Sequence, residues 1–420
     1  SAGHKSSGKT TLSIGLCRVF AQLKLQVQPF KKGPDYIDPM WLGQAAGRAC
    51  QNLDFHTMDA QEILSSFGEL SLQADISLIE GNKGLYDGLD LDGGNSNAAL
   101  AKLLKAPVIL VIDARGMTRG IAPLILGYQA FDKDIQIAGV ILNQLGGSRH
   151  ESKLRAVIEH YTDVEVLGAV HTHADLAMVE RHLGLIPSNE QQHANDKIER
   201  IAEGIKNQVN IDRLLTIARQ SELPNFKKIK ATAIQKNQLR IGVIKDAAFG
   251  FYYHGDFLAL QAQGAELVFI NSLVDTELPA IDALFIGGGF PETHMQALAQ
   301  NQLFRQQLHK SILEGLPVYA ECGGLMYLCR GIHWQNETFP MVGVIPADVI
   351  MEQRPQGRGY VRLEETRQHP WPEPHDSAPE IMAHEFHYSR LVNIGPDIKF
   401  AYKVTRGYGI DGRNDGLVFG

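Results

Sequence analysis

The chain has 420 residues, of which 44% are hydrophobic and 21% are charged, so it is long enough to bury more than one core. Its net charge of −7 argues against a broad basic surface for nucleic acid. No apolar run reaches the roughly 18 residues that a membrane-spanning helix needs. We therefore expect neither nucleic acid nor a membrane among its partners.

The four cysteines form neither a CxxC pair nor a dense framework; they are Cys17, Cys50, Cys322 and Cys329. Such sparse usage is typical of a reducing compartment, and we expect a cytoplasmic protein. The chain opens almost directly on a glycine-rich loop that normally follows a buried strand, so we expect further residues before Ser1.

The opening motif, Gly3-His-Lys-Ser-Ser-Gly-Lys-Thr10, predicts a phosphate-binding loop. Its small residues allow backbone N–H groups to close around phosphate oxygens, while Lys9 reaches the terminal phosphates and the Thr10 hydroxyl binds Mg²⁺. The alternative is a plain glycine-rich turn, but apolar residues at helical spacing follow in 11–23, as the motif requires. We expect ATP to be bound by this loop and its neighbour: Gly3, Gly8, Lys9, Thr10 and Thr11.

Short apolar runs then recur along the first half of the chain and predict strands at 25–30, 76–79, 108–112 and 137–142. Most are separated by segments long enough for a helix. Apolar runs without alternation are typical of a parallel sheet covered on both faces. Residues 1–195 are therefore predicted to form a doubly wound α/β domain that binds its ligands at the carboxyl ends of the strands.

Three of these strands are followed by polar residues. Glu80, which opens Glu80-Gly-Asn-Lys-Gly-Leu-Tyr-Asp-Gly88, is predicted to hold Mg²⁺ beside the phosphate loop, although a helix cap is an alternative. In Phe30-Lys-Lys-Gly-Pro-Asp-Tyr-Ile-Asp-Pro39 we expect Lys31 to contact phosphate and Asp38 to be a second Mg²⁺ ligand, a solvated turn being the simpler alternative. Asn143 is predicted to read a purine edge, or else to be a turn residue.

The second half begins after a polar connector, predicted as a linker over 196–238. A new α/β pattern follows, with strands predicted at 239–244, 266–270, 283–287 and 317–320. Residues 239–420 are thus predicted to form a second doubly wound, mainly parallel domain.

Tyr319-Ala-Glu-Cys-Gly-Gly-Leu325 predicts a strand-to-helix elbow that presents Cys322 as a nucleophile. A helix N-terminus would lower the pKa of its thiol. The alternative is an inert buried cysteine. His387 of His384-Glu-Phe-His-Tyr388 is the candidate base, and His384 is expected to be structural. Free N–H groups for an oxyanion hole are expected at Gly288, Gly289 and Gly323.

The sixteen histidines also raise the possibility of a metal site. His171-Thr-His173 resembles a pair of metal ligands, but no Cys or carboxylate cluster with the spacing of a zinc site accompanies it. We therefore expect no structural zinc.

Taken together, these segments resemble the cobyrinic acid a,c-diamide synthases, a family that joins a P-loop amide ligase to a class I-like glutamine amidotransferase domain. The resemblance spans nearly the whole chain in the expected order. It rests on residues 30–39, 80–88, 113–117, 180–185, 287–292, 319–325 and 384–389.

The resemblance implies that Cys322 attacks L-glutamine, that His387 moves protons, and that the released ammonia reacts in the other domain. There ATP, with Mg²⁺, would activate an acetate carboxylate of a tetrapyrrole. Asp35 and Tyr36 would face this substrate, and we add Lys83 and Tyr86 as substrate contacts. A homodimer is expected from the family alone.

Some residues depart from the family's usual pattern, among them Lys5, Asn82-Lys83 and Asn95-Ser-Asn97. They leave open the same chemistry on sirohaem or nickel-sirohydrochlorin. Also open are a non-catalytic P-loop binding protein with a degenerate amidotransferase domain, and a ligase for a non-tetrapyrrole carboxylate such as a biotin precursor or cell-wall lipid. Class I amidotransferases commonly have a glutamate at the position of Ser389, two residues after the catalytic histidine. The cobyrinic acid a,c-diamide synthases lack this glutamate too. The third residue of a catalytic triad with Cys322 and His387 is therefore left unnamed.

Overall fold

The computed structural model describes residues 1–181, 184–191, 193–228, 239–371 and 380–419. The chain divides into two compact units, residues 1–230 and 231–420. Each unit is built on parallel strands flanked by helices, so the predicted α/β fold is confirmed.

Unit 1 alternates strands and helices in the manner that the apolar runs predict. Its strands are β1 (Val27–Lys32), β2 (Gln51–Leu53), β3 (Ile76–Glu80), β4 (Val108–Asp113), β5 (Ile137–Leu145), β6 (Val166–His171), β7 (Glu180–Arg181) and β8 (Gly184–Leu185). Its helices are α1 (Lys9–Gln22), α2 (Ile37–Ala46), α3 (Ala60–Ser71), α4 (Asn97–Leu104), α5 (Ile121–Phe131), α6 (Ser148–Tyr161), α7 (Ala194–Lys206) and α8 (Ile211–Arg219), with 3-10 turns at Ala174–Leu176 and Ser188–Glu190.

Two parallel sheets position the polar residues of unit 1. Their strand orders are β2-β1-β3 and β4-β5-β6, and Ala2 forms a parallel bridge to Val111 of β4 just before the glycine-rich loop. The register pairs Lys31 with Glu80 at the carboxyl ends of β1 and β3. Side chains that follow different strands in the sequence are thereby brought to one edge, as expected for a parallel sheet.

The prediction that 196–238 is a linker was wrong for its first part, which is helical and belongs to unit 1. Helix α7 buries a stripe at helical spacing, namely Ile198, Ile201, Ala202 and Ile205. It packs against α1, where a Cβ on Gly15 would collide with Ile205. The burial of this apolar stripe is the reason that the segment folds. Residues 229–238 lie outside the described part of the chain.

Unit 2 begins with four parallel strands and continues with antiparallel hairpins. Its strands are β9 (Arg240–Ile244), β10 (Phe249–Phe251), β11 (Glu266–Ile270), β12 (Ala283–Ile286), β13 (Gly288–Gly289), β14 (Val318–Ala320), β15 (Cys329–Trp334), β16 (Glu337–Pro340), β17 (Ile345–Met351), β18 (Gly357–Glu365), β19 (Ile381–His387), β20 (Ser389–Val392), β21 (Lys399–Arg406) and β22 (Asn414–Val418). Its helices are α9 (His254–Ala262), α10 (Met295–Gln300), α11 (Gln302–Leu313) and α12 (Gly323–Leu328), with a 3-10 turn at Pro291–His294.

The parallel sheet of unit 2 has the order β11-β9-β12-β14 and contains all four strands predicted from the sequence. Three further sheets, β10-β13, β16-β15-β17-β20 and β19-β18-β21-β22, pair mainly antiparallel and were not predicted. The sequence interpretation of a mainly parallel unit therefore holds only as far as residue 320. A large apolar core packs around β9 and β12 and beneath α12, so the elbow at Cys322 stands on a rigid base.

Candidate active sites

The glycine-rich loop closes tightly at the start of α1. Gly8 has φ +81°, a left-handed conformation that favours glycine, and a Cβ there would collide with the Asn143 amide. Asn143 Nδ2 donates to the Ser7 carbonyl at 2.9 Å, and Lys9 Nζ lies 3.5 Å from the His4 carbonyl. Asn143 thus holds the loop itself. Contact between Asn143 and a purine stays a prediction. It would have to use Oδ1 or the second hydrogen of Nδ2, because the first is donated to Ser7.

The residues predicted to bind Mg²⁺ and phosphate lie together at this edge of the sheet. Thr10 Oγ1 donates to Glu80 Oε1 at 2.7 Å and lies 3.3 Å from Asp38 Oδ2. Lys31 Nζ donates to Glu80 Oε1 at 2.9 Å and also to Asp38 Oδ2. A hydroxyl, an ammonium group and two carboxylates therefore converge next to the phosphate loop.

Burial and mutual attraction set the charges of this cluster. Burial raises the pKa of Glu80, with Asp38 adding to the rise and Lys31 opposing it. Burial opposes the charge on Lys31 too, but the carboxylates of Asp38, Glu80 and Asp35 outweigh it and hold its pKa well above the usual range. Burial likewise opposes ionisation of Asp38, and Lys31 overcomes it, so the pKa of Asp38 is lowered.

The donor set suits Mg²⁺. Glu80 Oε2 is buried without a hydrogen-bond partner, so one carboxylate oxygen is left for a cation. Mg²⁺ is typically bound by one or two protein carboxylates together with substrate phosphates and water, which matches Asp38, Glu80 and the Thr10 hydroxyl. No group of three or more His, Cys, Asp or Glu with a metal-binding arrangement occurs among the described residues, so protein atoms alone do not form a closed cage.

The predicted substrate residues have mixed positions. Asp35 caps α2, since its Oδ1 accepts from the N–H groups of Ile37 and Asp38 at 3.0 and 3.1 Å, and burial raises its pKa to about 7. Tyr36 immediately precedes α2, and Lys83 is exposed with φ +24°. The Tyr86 hydroxyl donates to the Tyr128 carbonyl at 2.6 Å, so this group packs within the unit. Substrate contact stays a prediction for all four.

Three buried polar side chains hold the loops of this site in place through hydrogen bonds to backbone carbonyls. They were not identified as site residues from the sequence. Asn52 Nδ2 donates to the carbonyls of Gly33 and Asp35 at 2.9 and 2.8 Å. Asn97 Nδ2 donates to the carbonyls of Asn82 and Gly84, both at 2.7 Å, and Lys32 Nζ bonds to the Asn95 carbonyl. The sequence signal was the departure from the family's usual pattern at Asn82 and Asn95–Asn97, where Asn82 and Asn97 contact each other. Asn52 had no comparable signal.

In unit 2, Cys322 lies at the predicted elbow between β14 and α12. Its φ of +47° and ψ of −108° are strained for a residue with a side chain, a feature that clusters at functional sites. A Cβ on Gly324 would collide with the Ile286 carbonyl, and a Cβ on Gly288 would lie 3.4 Å from Cys322 Cβ. Glycine is needed at 324 because the elbow packs directly on the end of β12, and Gly288 of β13 lies in close contact with it. The cysteine itself is exposed.

The thiol is not activated as the sequence had indicated. Although part of the residue reaches solvent, burial of the sulfur and the nearby charges of Glu292 and Glu321 raise the pKa of Cys322 to about 11. The N–H groups of Gly323 and Gly289 are directed at the sulfur and act in the opposite direction. The prediction of a lowered pKa was wrong because burial of the sulfur, together with the two carboxylates, outweighs these N–H groups. Cys322 therefore needs a base.

Tyr252 holds the glycine segment next to Cys322 and was also missed. The Gly287 N–H donates to Tyr252 Oη at 2.8 Å, and the Tyr252 hydroxyl donates to the Ile244 carbonyl. This single hydroxyl therefore joins the carboxyl ends of β9 and β12. The segment that it holds leads directly to Gly288 and Gly289, two of the predicted oxyanion residues.

The candidate base, His387, ends β19 in the same unit. Its Nδ1 lies 2.8 Å from the Ser389 carbonyl, and its Nε2 lies 3.8 Å from Glu385 Oε2. His384, the expected structural histidine, lies with its Nδ1 3.4 Å from the Tyr253 hydroxyl. Tyr253 follows β10, which pairs with β13, so this contact connects the histidine strand to the glycine segment.

The two histidines considered for zinc have other partners. His171 Nε2 lies 2.8 Å from Glu151 Oε2, and His173 Nδ1 lies 3.3 Å from Asp175 Oδ2.

None of the helices in the described ranges combines the length and apolar character needed to cross a membrane.

Comparison with known proteins agrees with this division. Residues 2–186 match the CobQ/CobB/MinD/ParA nucleotide binding domain, and residues 240–420 match the CobB/CobQ-like glutamine amidotransferase domain. Among solved structures, the septum site-determining protein MinD complexed with Mg-ADP from Pyrococcus horikoshii covers 52% of this chain and 93% of its own length at 16% identity. Its TM-score of 0.32 is too low to support an argument.

Curated relatives match both units at once. A cobyrinate a,c-diamide synthase of Magnetococcus marinus is 42% identical over 100% of this chain and 90% of its own length. One of Archaeoglobus fulgidus is 41% identical over 98% of this chain and 89% of its own. The chain therefore belongs to the cobyrinate a,c-diamide synthase family and is a glutamine-hydrolysing amide synthase with a nucleotide-binding unit.

Proposed function

We propose that this protein uses ATP and L-glutamine to convert acetate side-chain carboxylates of cobyrinic acid into amides, a step of cobalamin biosynthesis. The observation that supports this proposal most is that relatives named for that reaction match the whole chain, both units included. The geometry of each unit is consistent with one half of the reaction.

In the glutaminase half, Cys322 Sγ forms a bond to the side-chain amide carbon of glutamine. Because the pKa of this thiol is raised to about 11, the sulfur is protonated at neutral pH, and its proton passes to His387 as the bond forms. The N–H groups of Gly289 and Gly323, which face the sulfur, would stabilise the oxyanion. His387 then protonates the leaving nitrogen, and water hydrolyses the thioester to glutamate.

In the ligase half, a carboxylate oxygen of the tetrapyrrole attacks the γ-phosphorus of ATP, which yields an acyl phosphate and ADP. Ammonia then attacks the acyl carbon and inorganic phosphate leaves. Thr10, Asp38 and Glu80 would hold Mg²⁺, which neutralises phosphate charge when bound, while Lys9 and Lys31 would contact the phosphates. The two halves together consume one ATP, one glutamine and one water for each amide formed.

The test is a mass-spectrometric assay of the full chain with ATP, Mg²⁺ and glutamine, in which cobyrinic acid, sirohaem and nickel-sirohydrochlorin are offered in parallel. A doubly amidated cobyrinic acid is the expected product. Turnover of sirohaem or nickel-sirohydrochlorin alone would keep the mechanism and replace the substrate. Absence of glutaminase activity with ATP and every tetrapyrrole would favour a non-catalytic binding protein. Cytoplasmic location and a homodimer stay predictions.

A further inference from the structure

Both nitrogens of the His387 ring face an electronegative atom. Nδ1 lies 2.8 Å from the Ser389 carbonyl oxygen. A carbonyl oxygen only accepts hydrogen bonds, so Nδ1 carries the proton and Nε2 is the nitrogen that exchanges one during catalysis. Ser389 stands two residues after the histidine, where a glutamate is usual in class I amidotransferases. Its backbone carbonyl thus supplies an acceptor on the Nδ1 side.

A carboxylate lies on the Nε2 side. Glu385 precedes His387 by two residues on β19, so the two side chains share one face of the strand. Glu385 Oε2 lies 3.8 Å from His387 Nε2, an ion-pair distance that exceeds a hydrogen bond. The carboxylate attracts positive charge on the ring while leaving Nε2 able to bond to another group.

The carboxylate is held in place by the backbone. Glu385 Oε1 accepts from the Tyr408 N–H and Oε2 accepts from the Gly409 N–H, both at 2.9 Å. Only 11% of the Glu385 side chain and 21% of the His387 side chain are exposed, so solvent screens their attraction weakly.

A glycine on the neighbouring strand makes room for the pair. Gly357 of β18 pairs with His387 in the sheet register. A Cβ at this position would collide with His387 Nε2 and would lie 2.8 Å from Glu385 Oε2. A side chain at 357 would therefore force the imidazole or the carboxylate to move.

The charged groups around the ring act in one direction. Burial tends to lower the pKa of His387, but Glu385 and the Ser389 carbonyl, with a further contribution from Asp415 of β22, raise it above its usual value. In turn, burial opposes the charge on Glu385, while His387 and the two backbone N–H groups lower its pKa. At neutral pH the carboxylate is charged.

We propose that Glu385 is a positioning residue for the glutaminase reaction, which holds the His387 imidazole and stabilises its protonated form from the Nε2 side while the Ser389 carbonyl holds Nδ1–H. Glu385 and the Ser389 carbonyl together thus replace the third residue of the catalytic triad, which in other class I amidotransferases is commonly a glutamate at the position of Ser389. This inference rests on the proposed role of His387 and deepens it. A more basic imidazole is important here because the pKa of the Cys322 thiol is raised, so the thiol needs a stronger base to lose its proton.

The test compares Glu385→Gln and Glu385→Asp with the wild type in the full chain, measuring glutamine hydrolysis against pH. Glu385→Gln keeps oxygen and shape but loses charge, so kcat should fall by about tenfold or more, approaching the 10²- to 10⁴-fold that a general base contributes. KM for glutamine should change little. Since His387 accepts a proton from Cys322 and its pKa falls without Glu385, the acidic limb of kcat/KM should move to lower pH. Glu385→Asp should recover part of kcat.

Ammonia-driven amidation and an exposed carboxylate on the same sheet provide controls. Both Glu385 variants should retain amidation with ammonium salts, and Glu364→Gln should behave as the wild type in every assay. Titration of His387 by NMR gives a readout independent of turnover and should show a lower pKa in Glu385→Gln. An unchanged His387 titration with unchanged glutaminase kcat would overturn the proposal, and so would equal loss of glutamine- and ammonia-driven activity. A wild type that hydrolyses glutamine but ignores cobyrinic acid would contradict only the proposed substrate.

Discussion

Removal of the Tyr252 hydroxyl is expected to impair glutamine hydrolysis without touching Cys322 or His387. The hydroxyl accepts from the Gly287 N–H at 2.8 Å and donates to the Ile244 carbonyl, and both backbone groups belong to buried residues. Tyr252→Phe keeps the aromatic ring, which packs against Phe257 and Phe285 with centroids 5.1 Å away in each case. The change therefore isolates the two hydrogen bonds.

The size of the effect follows from those two bonds. A buried donor or acceptor that loses its partner costs about 1 to 3 kcal/mol, so the free energy of unfolding of unit 2 should fall by about that amount for each group that finds no water. The activity loss has an upper bound, because a single oxyanion donor contributes about 10²- to 10³-fold in rate. Displacement of the Gly287–Gly289 segment should therefore lower kcat for glutamine by up to that factor.

The assay measures glutamine-driven and ammonia-driven amidation side by side, with chemical denaturation of the same preparations. Tyr161→Phe, which removes a hydroxyl from a side chain in unit 1 that is 41% exposed, is the control and should match the wild type. Ammonia-driven amidation by Tyr252→Phe should be close to wild type. A stable variant with normal glutaminase activity would contradict this role of Tyr252, because its hydroxyl would then hold nothing that catalysis requires.

The remaining predictions concern the residues proposed to act directly. Cys322→Ala should abolish glutamine-driven amidation and keep ammonia-driven amidation, measured as amide product; loss of both would mean that the cysteine is structural. Lys9→Ala should remove activity with either nitrogen source, because the γ-phosphate loses its contact, and normal activity would contradict the ATP-site assignment. Glu80→Gln exchanges a charged Mg²⁺ ligand for a neutral one, so a Mg²⁺ titration should show a higher requirement or no turnover. An identical titration curve would exclude the metal role.

Local patterns predicted the part of this protein that depends on neighbouring residues in the chain. Gly8 and Lys9 indicated the phosphate loop, because backbone N–H groups close around phosphate only where small residues allow it. The strand-end positions of Lys31 and Glu80 predicted that both lie at the ligand-binding edge, since parallel strands bring their carboxyl ends to one edge. Helix α7 was not predicted, although its apolar residues recur at helical spacing, because the segment that contains it ends in a long polar stretch.

Other features depend on contacts between residues far apart in the sequence. In the antiparallel sheets after residue 320, β18 pairs with both β19 and β21. The residues of a single strand do not indicate which other strand it will pair with. Asn97 departs from the family's usual pattern, but its partners, the carbonyls of Asn82 and Gly84, are set only by the fold. The pKa of Cys322 was predicted in the wrong direction for the same reason, since the burial of its sulfur and the approach of Glu292 arise only in the folded unit.

The α/β class, the phosphate loop and the cysteine elbow could thus be predicted from short runs of sequence, because their backbone geometry follows from glycine, charge and apolar spacing, and the family followed from the resemblance of such runs. The groups that set the protonation of Cys322 and His387 become apparent only in the folded protein. Proton affinity depends on burial and on charges within a few ångströms. For His387 these are the carboxylate of Glu385 and the carbonyl of Ser389, which sheet pairing and the absence of a side chain at Gly357 allow to approach the ring.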